Sequence, residues 1–122
     1  REPLSGMASN VPVPIDTAIA LNSPEQAVAG LIAVMGISDA EWGTPLGLNL
    51  PGMRLEVREM IEALERVGGS GASDLLTYDH DPMIQRIVAG WPSRFESERA
   101  SRLGLETHES FEAVVRRFES AT

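Results

Sequence analysis

Glycine closes four helical patterns in this sequence, and that punctuation restricts the chain to short helices joined by tight turns. Gly36 follows the apolar series Ala27, Val28, Leu31, Ile32 and Met35, and Gly68 follows Val57, Met60, Ile61, Leu64 and Val67. Gly90 follows Ile84, Ile87 and Val88, and Gly104 follows a short turn through Arg102. Apolar residues three and four apart share one face of a helix, and glycine readily ends one. Each start also has its signal. Ser23-Pro24-Glu25-Gln26 supplies a cap, a first-turn proline and a capping-box glutamine, Asp81-Pro82 repeats the cap and proline, and Ser97 can cap the short turn. A last helix, preceded by Thr107, carries Phe111, Val114, Val115 and Phe118 as its stripe, with Arg116 and Arg117 near its end.

The strand signals are weaker. Pro3, Pro12 and Pro14 predict an ordered, extended lead-in, and Ile19 to Leu21 a short strand. Leu46, Leu48 and Leu50 alternate ahead of the Pro51-Gly52 turn and predict a second strand, and Leu75 to Tyr78 a third after a flexible Gly68-Gly69-Ser70-Gly71 turn. The expected fold is α+β, a small helix-rich domain with a few short strands. With 122 residues, 43% hydrophobic and 23% charged, the chain can bury one modest core, so residues 1–122 are read as a single domain.

Charge and composition then exclude chemistry. The net charge of -8 repels a phosphate backbone or an anionic membrane surface, and no basic cluster offsets it, so neither nucleic acid nor membrane is an expected partner. All ten basic residues are arginine, and without lysine there is no Walker-type phosphate lysine or Schiff base. The absence of cysteine removes disulfides, thiolate metal sites and thiol nucleophiles. With no membrane span or leader visible, a cytoplasmic location is the default. The opening Arg1-Glu2-Pro3-Leu4 lacks an initiating methionine, so the natural start is expected upstream.

Catalytic candidates are few. General acid or base chemistry must begin at the two histidines, His80 and His108. Asp79-His80-Asp81-Pro82 can be read as a metal or relay cluster, but Asp81 before Pro82 already has a role as a helix cap. No serine lies in Gly-x-Ser-x-Gly, and the glycine clusters do not form the loop of a dinucleotide site between a strand and a helix. No catalytic, cofactor-binding or metal-ligating residue is therefore assigned. Binding chemistry remains. Arg94 offers a planar fork of donors suited to a carboxylate or phosphate, Trp91 can shield one face of a ligand, and Arg86 lies one turn before Gly90. Arg1 is a further candidate for the same substrate-binding role. Against this stands a structural reading in which Trp91 and Phe95 anchor the core and Arg94 pairs with an acid.

Several segments carry a resemblance in order. Ser23-Pro24-Glu25-Gln26-Ala27-Val28, Leu48-Asn49-Leu50-Pro51-Gly52, Glu59-Met60-Ile61, and the run from Arg94-Phe95-Glu96 through Arg99-Ala100 to Leu103-Gly104-Leu105 resemble the C-terminal part of the extended short-chain dehydrogenase/reductases, the NAD-dependent epimerase/dehydratase family. Arg1 to Gly6 and Gln85 to Phe95 look most like its D-erythronate dehydrogenase branch, which oxidises four-carbon sugar acids with NAD. The resemblance implies a C-terminal, substrate-binding lobe of an NAD-dependent oxidoreductase, partnered by an N-terminal Rossmann domain that is not in this chain. That half would supply the NAD site and the Tyr-x-x-x-Lys pair. Tyr78, the only tyrosine, has Pro82 where the lysine would stand, so the chain alone is expected to bind no NAD and to be inactive. Glu56 replaces a small capping residue and Glu96 the usual aspartate. Two other readings stand beside this one: the substrate domain of a nucleotide-sugar epimerase, dehydratase or reductase, and a non-catalytic helix-rich interaction module with Trp91 and Phe95 in a partner groove. An apolar face meant for the Rossmann partner would be exposed in isolation and could drive self-association.

Overall fold

The apolar periods fall within an array of seven α-helices and four short strands among the described residues, 1–95, 97–105 and 108–121, of the computed structural model of the chain. Glu96 and Thr107, singled out above, lie outside the described residues. A 3₁₀ turn over Pro3–Ser5 opens the chain, followed by β1 (Ser9–Asn10) and β2 (Ala18–Leu21). Pro12 and Pro14 fall between the two strands, where their missing N–H groups break no ladder. Helix α1 (Pro24–Met35) starts where its sequence says, with the Ser23 hydroxyl accepting the Gln26 N–H at 3.1 Å. That serine is buried and also donates to the Glu109 carboxylate, tying the start of α1 to the segment before the last helix.

Two short helices were not legible. Helix α2 (Asp39–Trp42) is closed by a capping box in which Ser38 and Glu41 satisfy each other's backbone N–H groups. The expected strand through Leu46, Leu48 and Leu50 does not form; the strand lies after the Pro51-Gly52 turn, as β3 (Met53–Glu56), paired antiparallel with β2 from Ala18↔Glu56 to Leu21↔Met53. The physical reason is a competition for carbonyls. Those of Pro45, Gly47, Leu46 and Pro51 accept from the side chains of Arg99, Trp42 and Asn22, so this segment is held by side chains rather than by a neighbouring strand.

Helix α3 (Val57–Gly68) follows without a loop, and the Glu59 side chain accepts the Glu56 N–H at 2.7 Å, so the glutamate at the entry position is capped by its neighbour. The glycine-rich stretch expected to be a turn instead forms α4 (Ser70–Ser73), whose Ala72 is buried; a Cβ on Gly68 would lie 2.9 Å from the Ala72 Cβ, so glycine allows this close return. Strand β4 (Leu76–Thr77) pairs parallel with β1, and α5 (Pro82–Ala89), α6 (Glu98–Arg102) and α7 (Phe111–Ser120) complete the order. The result is the α+β architecture expected.

Helix α3 is the hub, packing against α7, α4 and β3. Among the described residues the buried hydrophobic ones are Val13, Ala63, Ala72, Ala100, Leu105 and Val115, so the core is built mostly from small side chains. The stripe of α1 is not part of it: Val28, Leu31, Ile32 and Met35 are 54%, 67%, 64% and 86% exposed. In α5, Ile84 and Ile87 are exposed as well, leaving Val88 partly covered. Periodicity grouped these residues on common faces, but the expectation that α5 buries Ile84 and Ile87 fails, because among the described residues no second layer lies over either face. Among the described residues no helix is long and apolar enough to cross a membrane.

Candidate functional site

Helix α5 and the segment after it carry three of the four candidate ligand-binding residues. The Asp81 carboxylate accepts the N–H groups of Met83 and Ile84 at 2.8 and 3.3 Å, and the Asp81 N–H donates to the Pro12 carbonyl at 2.8 Å. One residue thus starts α5 and fastens it to the lead-in. Asp81 is thus the helix entry of α5, and no group of three potential metal ligands occurs among the described residues. At the other end the N–H of Gly90 bonds the Ile87 carbonyl at 3.1 Å and that of Trp91 the Val88 carbonyl at 3.0 Å, extending the last turn as far as the indole.

Met83, Ile84, Ile87 and Trp91 consequently lie along one face, since about 100° separates successive helical residues. All four are exposed, Trp91 at 57%. Arg86 is exposed on the flank of this stripe, and exposed Arg94 follows in an irregular segment beside half-buried Phe95. The indole is therefore no core anchor. What the sequence grouped here, the structure keeps together: an apolar edge with arginines near it.

Arg1 is placed elsewhere. Its guanidinium stands 5.1 Å from the centre of the Phe118 ring of α7, and the residue lines a largely apolar cleft of about 340 Å³ with Pro12, Ile61, Leu64 and Phe111 among its walls. Neither Arg86, Trp91 nor Arg94 lines that cleft. A second opening, of about 430 Å³, lies between α2 and α6, walled by Glu41, Trp42, Thr44, Arg99 and Arg102.

Arg99 is the residue whose role sequence reasoning missed. Its guanidinium lies 4.9 Å from the centre of the Trp42 ring and donates to the carbonyls of Trp42 and Pro45, each at 2.5 Å, and Gly47 at 3.3 Å. A planar fork with five N–H donors can stack on an indole while reaching several carbonyls, which an ammonium cannot do. No local signal points to this, because the acceptors are main-chain atoms more than fifty positions away. The carboxylates with displaced acidity also hold structure rather than chemistry. Glu112 is held below the ordinary carboxylate range by hydrogen bonds from Arg116 and then Arg66, and Glu41 by hydrogen bonds from Ser38. In Glu25 the hydrogen bond from backbone N–H acts first, assisted by the nearby Arg117 guanidinium.

No protein-family model matches the chain. Individual proteins do. A D-erythronate dehydrogenase from Cupriavidus necator is 39% identical over 97% of this chain, and one from Haemophilus influenzae 31% identical over 97%. The chain spans only 36% and 38% of those proteins' lengths, and the Cupriavidus match falls in its C-terminal part. A crystal structure of a nucleoside-diphosphate-sugar epimerase from Agrobacterium tumefaciens superposes with a TM-score of 0.88 at 37% identity, over 94% of this chain and 34% of that one.

Proposed function

We propose, from the chain's kinship with the C-terminal portion of dehydrogenases and epimerases of the NAD-dependent epimerase/dehydratase family, that residues 1–122 form the substrate-facing domain of a dehydrogenase acting on a small sugar acid such as D-erythronate. The observation that carries this reading is the alignment with D-erythronate dehydrogenases over nearly the whole chain. The remainder of such an enzyme, an N-terminal Rossmann domain, would bring NAD and the catalytic tyrosine, and the assembled protein would be cytoplasmic. The residues described here do not fit NAD. Gly36, Gly69, Gly90 and Gly104 stand at helix exits, whereas a pyrophosphate cradle needs glycines between a strand and a helix entry. No step through the cofactor is assigned to this chain.

Its own part is orientation. The Arg94 guanidinium pairs bidentately with the substrate carboxylate, the Trp91 face shields the carbon chain from water, and Arg86 adds positive potential from the preceding turn. Arg1, across the domain, is the most peripheral of the proposed contacts. Superposition on a nucleoside-diphosphate-sugar epimerase favours a second reading in which the same arginines meet a diphosphate.

Initial rates of the protein carrying this chain, measured with NAD and D-erythronate and separately with nucleotide sugars, distinguish the two. In the sugar-acid reading, Arg94→Ala raises KM for erythronate roughly 10- to 100-fold, the equivalent of losing a charge-assisted pair of about 1.5–3 kcal/mol. Turnover of nucleotide sugars alone transfers the assignment to the second reading. Unchanged constants in the mutant remove Arg94 from the site, and absence of turnover on both substrate classes favours an interaction module.

A further inference from the structure

Asn10 holds the point from which α5 departs. Along the parallel pair of β1 and β4, the N–H groups of Ser9 and Val11 donate to the carbonyls of Leu75 and Thr77 at 3.0 and 2.8 Å. At the next rung the backbone gives way to a side chain. The Asn10 Oδ1 accepts the Asp79 N–H at 2.8 Å and the Thr77 hydroxyl at 3.0 Å, and its Nδ2 donates to the Asp79 carbonyl at 2.8 Å. A carboxamide carries the same donor and acceptor as a peptide group, so one side chain satisfies both backbone groups of Asp79. Two residues further on, the Asp81 N–H bonds the Pro12 carbonyl at 2.8 Å and α5 begins. Together these bonds fasten the entry of a helix that packing holds weakly, since Met83, Ile84 and Ile87 are all exposed.

We propose that Asn10 is a positioning residue for the group formed by Arg86, Trp91 and Arg94: it fixes the direction of α5, and through α5 the place where indole and guanidinium meet a substrate. This rests on the reading of that group as the substrate contact. The lever is long. Helix α5 has 8 residues, about 12 Å at about 1.5 Å each, so a tilt of about 5° at Asp79 displaces its far end by about 1 Å. Misplacement on that scale is enough to weaken a bidentate carboxylate pair. Every residue in the clamp is exposed, so water competes for each bond and the clamp contributes direction more than stability. The Asp81 side chain cannot stand in for it, because that carboxylate is engaged by the Met83 and Ile84 N–H groups within the same helix.

Steady-state kinetics of the full-length protein, on whichever of erythronate or a nucleotide sugar it turns over, test the assignment. Asn10→Ala should raise KM about 3- to 10-fold with kcat within about twofold, the pattern of weakened substrate binding rather than altered chemistry. Asn10→Asp keeps the shape and both accepted bonds but sets an oxygen against the Asp79 carbonyl. It should act in the same direction, and it supplies the measurement if the alanine variant does not fold. Gly69→Ala, strained at a φ of 75°, controls for general destabilisation, and its KM should equal the parent's. In an Arg94→Ala background Asn10→Ala should add less than about twofold, because the guanidinium it places is gone. An unchanged KM in both Asn10 variants, an equal rise in Gly69→Ala, or full multiplication in the double variant overturns the proposal. Unchanged constants in Arg94→Ala, or no turnover of either substrate class, mark instead the failure of the functional reading. The clamp is then judged by hydrogen exchange alone. Amides of α5 exchanging at least about fivefold faster in Asn10→Ala than in Gly69→Ala uphold Asn10 as the residue that sets this helix, and equal rates overturn it.

Discussion

At the scale of single residues, Arg99 shows how much a guanidinium can organise. The last residue of α2 and the loop after it present three carbonyls, those of Trp42, Pro45 and Gly47, that one side chain collects while lying on the Trp42 ring. Arg99→Ala should therefore destabilise the fold by roughly 1–3 kcal/mol in urea titrations, the usual range for charged hydrogen bonds in a partly exposed setting. Arg99→Lys should recover only a minor share, and full recovery would show that charge alone is what the loop needs. Glu112 gives the corresponding pH effect. Its folded-state acidity is increased by Arg116 and Arg66, so the stability it contributes is complete above the unfolded carboxylate value of 4.5 and is lost as pH falls through the lower folded value. Glu112→Gln should melt below the parent at neutral pH, and the two curves should converge in acid. A constant gap across the titration would mean that the pairs with Arg66 and Arg116 contribute nothing. The Arg99 contacts and the Arg66 pair of Glu112 are not visible in sequence, because they depend on which distant groups the fold brings near, whereas the Glu112–Arg116 pair is a local one, four residues apart on α7.

Among the elements, the helix exits separate what glycine signals from what glycine does. Gly36 and Gly90 end α1 and α5 with φ of -87° and -84°, values open to any residue, whereas Gly69 after α3 has φ of 75° and Gly104 after α6 has 72°. The sequence marked three of these stops at the residue and the end of α3 one residue early, at Gly68, yet only Gly69 and Gly104 require a left-handed backbone. Gly69→Ala should cost about 1–2 kcal/mol even though nothing stands within 4 Å of the added Cβ. Gly36→Ala should stay within about 0.5 kcal/mol of the parent, since its Cβ would meet only the Ala33 carbonyl at an ordinary 3.5 Å. Equal losses in thermal melts would sink the distinction. The leucine alternation at 46 to 50 failed for a related reason: period two states that a segment is extended, not that a partner strand lies beside it. The partner of β2 was Met53–Glu56, and nothing in the leucines could reveal that. Arg86, Trp91 and Arg94 stay close along the chain, on α5 and the segment after it, whereas the sequence could not show that Arg1 lies against α7.

For the whole molecule, balance between charge and exposed apolar surface governs behaviour. The stripes of α1 and α5 present Leu31, Ile32, Met35, Met83, Ile87 and Trp91 to water, each at least half exposed, in a chain whose only long-range protection against association is its net charge of -8. Patches of this kind drive association once repulsion is removed. Carboxylates near their ordinary pKa lose charge as the solution approaches the sequence pI of about 4.7, and the hydrophobic attraction is little changed over the same interval. The 122-residue polypeptide by itself should therefore scatter light increasingly between pH 7 and pH 5, reversibly, and added salt at pH 7 should act in the same direction by screening. Replacing Leu31 and Met35 together by glutamate should suppress the effect at pH 7 in salt, because charge is placed in the patch itself. If scattering instead persists unchanged in that double variant and falls with Trp91→Glu, the α5 edge rather than α1 is the adhesive surface. The two faces would then have exchanged roles: α5 would mediate contact between copies, and its arginines would be answering a protein surface instead of a sugar acid.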